Sequence, residues 1–299
     1  MGPGQLNPYL GIDWAIPITQ AGRRTGNRPG SMVLSMPNLQ LRGTTLHYRQ
    51  AGFGGEVVLL LHAFPLHSGM WEPQLAAFAP RFRVIAPDIR GFGRSGEGPP
   101  ATTMELAASD ILALLVNLGI RRAAVAGLSM GGYVAFELYR RAPGLFRGLA
   151  LCDTKAPADT LEQKAGREAF ALNTLEKGLA FVADDFAPKL LRPRPLPAVE
   201  SQVRRIIAES TPAAVAAAQR GMALRADSVP TLARITCPTL AIFGELDQVT
   251  PFGELQRIAQ TVKGCRLVRI PGAGHLPNLE APDAFNAAVG GFFATLPPL

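Results

Sequence analysis

A serine framed by glycines, Gly127-Leu128-Ser129-Met130-Gly131, sits between an apolar run and a helical pattern. Ala123 to Ala126 reads as a short buried strand, and Tyr133 to Leu138 continues as a helix until Pro143 stops it. The chain therefore turns from strand to helix at Ser129. Such a turn strains the serine backbone and crowds positions 127 and 131, where glycine is the residue that fits. This is the pattern of a nucleophile elbow, and the chemistry it offers is attack on an acyl carbon. A helix that begins at the serine also aims free N–H groups and its positive dipole end at the reacting centre, where an oxyanion develops.

A serine hydroxyl at its ordinary pKa is a weak nucleophile. It needs a histidine to take its proton and a carboxylate to hold that histidine in the right tautomer. Of the four histidines, His47 falls in a first hairpin and His67 in a loop before Trp71, whereas His275 lies in Gly272-Ala273-Gly274-His275, directly after the last strand pattern. Asp247, in Gly244-Glu245-Leu246-Asp247, follows the preceding strand pattern. The expected catalytic set is Ser129, Asp247 and His275, in that chain order. Glu245 and Asp153 are the competing acids. Asp153 ranks second to Asp247: it reaches the same histidine from a neighbouring strand but leads straight into a helical insertion. Asp88 and Asp110 read as loop and helix-surface groups. For the oxyanion hole the expected donors are the amides of Met130 and of Phe64, the latter in His62-Ala63-Phe64-Pro65; Pro65 has no N–H to offer. His62 is expected to make structural hydrogen bonds.

The elements that must position these groups alternate along the chain. Leu39 to Arg42 and Thr45 to Tyr48 read as a hairpin about Gly43, and Val57 to Leu61 as a strand buried on both faces. Further strand runs lie at 83–86, 123–126, 149–151, 239–243 and 266–270, with helices at about 69–79, 103–118, 130–141, 253–262 and 282–294. This alternation predicts an α/β fold with a mostly parallel, doubly wound sheet. Residues 154–230 break it, being helix-forming, without a strand run, and holding all but one of the lysines. The expected organisation is a core at 37–153 and 231–299, a helical cap at 154–230, and a flexible extension at 1–36 rich in Gly, Pro, Asn and Arg. In an α/β sheet, a cap there roofs the substrate pocket.

A net charge of +7 is scattered, without the basic runs or interleaved aromatics of a nucleic-acid groove. No stretch reaches the roughly 20 apolar residues of a membrane span. Cys152, Cys237 and Cys265 show no metal-ligand spacing and read as reduced thiols, and no secretory pattern opens the chain, so a cytoplasmic location is expected.

The motifs at 62–65, 88–95, 127–131, 152–154, 244–247 and 274–275, spread over about 38 to 295, resemble the α/β-hydrolase superfamily, in particular small capped serine esterases and 3-oxoadipate enol-lactonases. Ala63 stands where relatives usually carry glycine. The resemblance implies that Asp88 and Arg90 to Ser95 shape a loop near the site. It also implies a carboxylic ester hydrolase in which Ser129 attacks, His275 shuttles the proton, Asp247 steadies the imidazolium, and water releases the acyl group. This chemistry requires no cofactor and no metal. The expected partner is a small-molecule ester or lactone. Lactonase, thioesterase and C–C hydrolase activities use the same residues, and a ligand-binding protein without catalysis is the reading from a different class. Phe64, Trp71 and Met130 are expected to line the substrate pocket, with Phe170 and Phe181 of the cap as further candidates, and Arg90 and the cap lysines to favour anionic acids.

Overall fold

The computed structural model describes residues 34–41 and 43–298. Eight strands form one sheet: β1 (Asn38–Leu41), β2 (Thr44–Ala51), β3 (Val57–Leu61), β4 (Arg83–Pro87), β5 (Ala123–Leu128), β6 (Phe146–Cys152), β7 (Thr239–Gly244) and β8 (Arg266–Ile270). Their order is β1-β2-β4-β3-β5-β6-β7-β8. The first two strands form the expected hairpin, turning at Gly43 with φ +83, and β2 runs antiparallel to β4. All other pairings are parallel. Every residue of β3, β5 and β7 is buried, which requires cover on both faces of the sheet.

That cover comes from α1 (Glu72–Phe78), preceded by a 3-10 turn at Ser68–Trp71, and from α2 (Met104–Asn117) and α3 (Met130–Arg141). Thr103 caps α2 by accepting from the Leu106 amide at 3.2 Å. Between β6 and β7 come four helices and no strand: α4 (Leu161–Leu190), α5 (Pro197–Ala208), α6 (Pro212–Ala223) and α7 (Val229–Leu232). The core is completed by α8 (Phe252–Thr261), α9 (Pro277–Glu280) and α10 (Pro282–Ala294). The long α4 begins with a reciprocal cap between Thr160 and Gln163 and kinks at Gly178, where φ is +77.

Three contacts fasten this helical insertion to the sheet layer. The Thr102 amide donates to the Ala217 carbonyl at 3.0 Å, and α6 comes so close there that a Cβ on Gly221 would lie 1.7 Å from the Thr102 carbonyl oxygen. His67 Nε2 meets Glu209 Oε2 at 2.9 Å. The Arg192 amide donates to Glu280 Oε1 at 2.9 Å.

Two expectations change. Ser35, assigned to the extension, exchanges two backbone hydrogen bonds with Gln50 at 2.9 and 2.8 Å, so ordered pairing begins before residue 37; residues 1–33 lie outside the described residues. Asp110, expected on a helix surface, is buried and bound through both oxygens to Arg90 at 2.6 and 2.8 Å. This pairing commits the Arg90 charge to a buried ion pair. The three cysteines are free, Cys152 fully buried and the other two half-buried. No helix among the described residues is long and apolar enough to cross a membrane.

Candidate active site

The elbow is built as the glycine spacing requires. Ser129 takes φ +54 and ψ −113 at the junction of β5 and α3, conformational strain held in place by its neighbours. Its amide donates to the Cys152 carbonyl at 2.9 Å, and its carbonyl accepts from Thr154 Oγ1 at 2.8 Å, so both of its peptide groups are anchored to the end of β6. A Cβ on Gly127 would lie 2.4 Å from the Gly131 carbonyl oxygen, and one on Gly131 would lie 2.1 Å from that of Leu61. A third glycine, which the spacing alone does not single out, serves the same turn: a Cβ on Gly132 would meet Thr154 Oγ1 at 2.3 Å.

The close approach of Gly131 to Leu61 seats the start of α3 against the end of β3. The segment carrying Phe64 therefore begins beside the segment carrying Met130. Neither the Phe64 nor the Met130 amide donates to a turn or loop carbonyl among the described residues. Met130 is the first residue of α3, whose N–H has no partner within the helix. His62, directly before this loop, is fully buried; its Nδ1 bonds the Ala63 carbonyl at 3.0 Å and its Nε2 accepts from the Ile89 amide at 2.9 Å. Burial pulls the His62 imidazole down to about 4, so the ring is neutral and holds the 62–65 loop to the 88–95 loop. Asp88 organises that second loop, accepting from the Ser68 amide at 2.8 Å and the Arg94 amide at 2.9 Å.

Asp247 and His275 meet. His275 Nδ1 lies 2.8 Å from Asp247 Oδ2 with both side chains out of solvent, and because a carboxylate only accepts, the ring nitrogen is the donor. Asp247 Oδ1 accepts from the amides of Val249 at 2.7 Å and Thr250 at 3.1 Å, which fixes the carboxylate plane. His275 Nε2 is buried and has no hydrogen-bond partner among the described residues; the Ser129 hydroxyl is not bonded to it. Glu245 turns away from the histidine, accepting from the Gly272 amide at 3.2 Å.

Asp153 is also here. One oxygen of Asp153, one of Asp247 and a ring nitrogen of His275 all lie within 4.8 Å of one another. Three donors already meet the Asp247 carboxylate, the imidazole and two amides. Within this cluster the His275–Asp247 contact is a hydrogen bond, and Asp153 Oδ2 has no hydrogen-bond partner among the described residues.

Two residues escaped the sequence reading. Glu280 accepts from the Gly274 amide at 2.7 Å and from the Arg192 amide, tying the His275 loop to the end of α4. No motif marks it, since its partners are backbone amides, one of them 88 residues away. Phe186 of α4 packs on Phe64, with ring centroids 5.2 Å apart, and on Phe170 at 5.0 Å; Phe170 in turn packs on Phe181 at 5.3 Å. Phe170 and Phe181 of the helical insertion thus reach Phe64 through Phe186. Trp71 packs on Phe285 of α10, ring centroids 6.0 Å apart.

Comparison with known proteins agrees with this architecture. Residues 58–288 match the model of the alpha/beta hydrolase family. Among curated proteins, 3-oxoadipate enol-lactonase 2 of Acinetobacter baylyi is 28% identical over 84% of this chain and 94% of its own length. From the same organism, 3-oxoadipate enol-lactonase 1 is 30% identical over 76% of this chain and 85% of its own length. Among solved structures, a thermophilic esterase from Thermogutta terrifontis superposes with a TM-score of 0.82 and 37% identity, covering 89% of this chain and 98% of that one. The enol-lactonase of Burkholderia xenovorans gives 0.79 and 31%, covering 86% and 100%. An elbow serine on β5, a carboxylate after β7 and a histidine after β8 thus stand on a scaffold that sequence and structure both match, and the chain belongs to the alpha/beta hydrolase family.

Proposed function

We propose that this hydrolase cleaves carboxylic esters by acyl transfer through Ser129, His275 and Asp247. The observation that carries the reading is the buried His275–Asp247 pair, with its outer ring nitrogen unpartnered at the rim of the sheet that also bears the strained Ser129. His275 Nε2 takes the Ser129 proton as Oγ attacks the ester carbonyl, and the Asp247 carboxylate stabilises the imidazolium that forms. The amides of Phe64 and Met130 receive the oxyanion. The imidazolium then returns its proton to the leaving alcohol, and water, deprotonated by the same histidine, releases the acid. Helices α4–α6 form the cap, and the aromatic row Phe64, Phe186, Phe170 and Phe181 supplies an apolar wall for the acyl or alcohol group.

A cyclic ester is the second reading, favoured by the two enol-lactonases among the relatives. The same residues open a lactone, the alcohol staying attached to the product. Turnover of short p-nitrophenyl esters, lost together with organophosphate labelling in Ser129→Ala, is the expected result. Retained labelling in that variant overturns the assignment, and a lactone turned over faster than open esters selects the second reading.

A further inference from the structure

We propose that Asp153 is a positioning residue that keeps its proton and donates it to the Asp247 carboxylate, completing that carboxylate's set of donors. The inference rests on the reading of Asp247 and His275 given above.

Asp153 continues β6 by one residue. Its amide donates to the Ile242 carbonyl at 2.9 Å, its carbonyl accepts from Thr250 Oγ1 at 3.0 Å, and its φ of +44 is one that aspartate tolerates better than most residues. The side chain is fully buried between the ends of β6 and β7. Oδ1 is committed, accepting the Gly244 amide at 2.7 Å. Oδ2 is buried and finds no donor among the described residues. A buried carboxylate oxygen without a donor is costly, and the cost vanishes if that oxygen carries a proton.

The neighbourhood decides which acid holds it. The charged groups acting on Asp153 are Asp247 and Glu280, both acidic, and His275 and the buried Cys152 thiol complete its titratable surroundings. Two carboxylates this close in a dry site do not both ionise. Asp247 receives three donors, the imidazole and two amides, while Asp153 receives one. The negative charge therefore belongs to Asp247 and the proton to Asp153. Burial first, and the Asp247 charge second, push the Asp153 carboxyl well above the usual carboxylate range. A carboxylate has about four acceptor sites, and the Asp153 hydroxyl fills the one that the imidazole and the two amides leave open.

The role separates cleanly from that of an ionised second acid. Asparagine at 153 keeps the acceptor for Gly244 and still donates an N–H toward Asp247, whereas alanine does neither. Asp153→Ala is expected to lower kcat by about 10- to 100-fold with KM little changed, the range for a hydrogen bond to a charged group, and Asp153→Asn is expected to restore most of it. The acid limb of the kcat/KM profile should coincide for Asp153→Asn and the native enzyme. Removing a true charge within 4.8 Å of the imidazole would instead move that limb to lower pH by about one unit or more. Such a move overturns the proposal, as does an alanine variant with native kcat.

If the alanine variant does not fold, the infrared spectrum at neutral pH decides. A protonated-carboxyl C=O band present in the native protein and missing from Asp153→Asn supports the proposal, and an unchanged spectrum overturns it. That spectrum needs no turnover, so its outcome is independent of whether Ser129→Ala abolishes hydrolysis.

Discussion

Gly244 and Gly274 touch where the loops after β7 and β8 meet: a Cβ on Gly244 would lie 1.8 Å from the Gly274 carbonyl oxygen. The Leu246 amide donates to the Ala273 carbonyl at 2.8 Å in the same junction, and Asp247 and His275 each follow within three residues. The distance between the acid and the imidazole is thus set by two backbones packed without side chains. Gly244→Ala forces them apart, because the obstacle is backbone and cannot rotate away. We expect about 1–3 kcal/mol of destabilisation and a fall in kcat larger than the loss of folded protein accounts for. Thermal unfolding and active-site titration of one preparation check both.

The Asp247 carboxylate holds the tautomer of His275 in which Nε2 is free to accept. Asp247→Asn keeps the shape but replaces a pure acceptor with a group that also donates, favouring the wrong tautomer. By analogy with serine hydrolases of other folds, kcat should drop roughly 1,000- to 10,000-fold. Steady-state kinetics on a p-nitrophenyl ester, with folding checked by circular dichroism, give the answer.

Arg90 and Asp110 test the line between stability and recognition. Asp110→Ala leaves a buried guanidinium unpaired and should cost about 3–5 kcal/mol. Denaturant titration measures that loss. The folded fraction should hydrolyse a neutral and a carboxylate-bearing ester in the native ratio. A changed ratio with native stability would return Arg90 to the substrate pocket.

His62 links stability to pH. Its imidazole is held down at about 4 by burial, while in the unfolded chain it titrates near the ordinary value of 6.5. Between these values the unfolded state binds the extra proton, so the stabilisation is complete above 6.5 and is lost as pH falls through the window toward 4. The full effect is at most about 3 kcal/mol. Urea midpoints measured across that window should fall less steeply for His62→Gln than for the native protein.

Much of this molecule is legible in the chain because its signals are local. Period-two and unbroken apolar runs mark strands, Pro143 stops a helix, and a glycine pair about Ser129 announces a turn too tight for side chains. Groups that follow strand ends must gather at one rim of a parallel sheet, so Ser129, Asp247 and His275 are readable as a set before any coordinate is known. What folding alone decided is which long-range neighbours fill the remaining valences. Asp110 turned inward because Arg90 needed a counter-ion. Glu280 was recruited by two backbone amides that carry no sequence signature, and Phe186 joined α4 to Phe64 through packing that no periodicity encodes. Sequence ranks Asp153 second to Asp247 among acids at neighbouring strand ends; the count of donors each one meets, a property of the packed structure, separates them further.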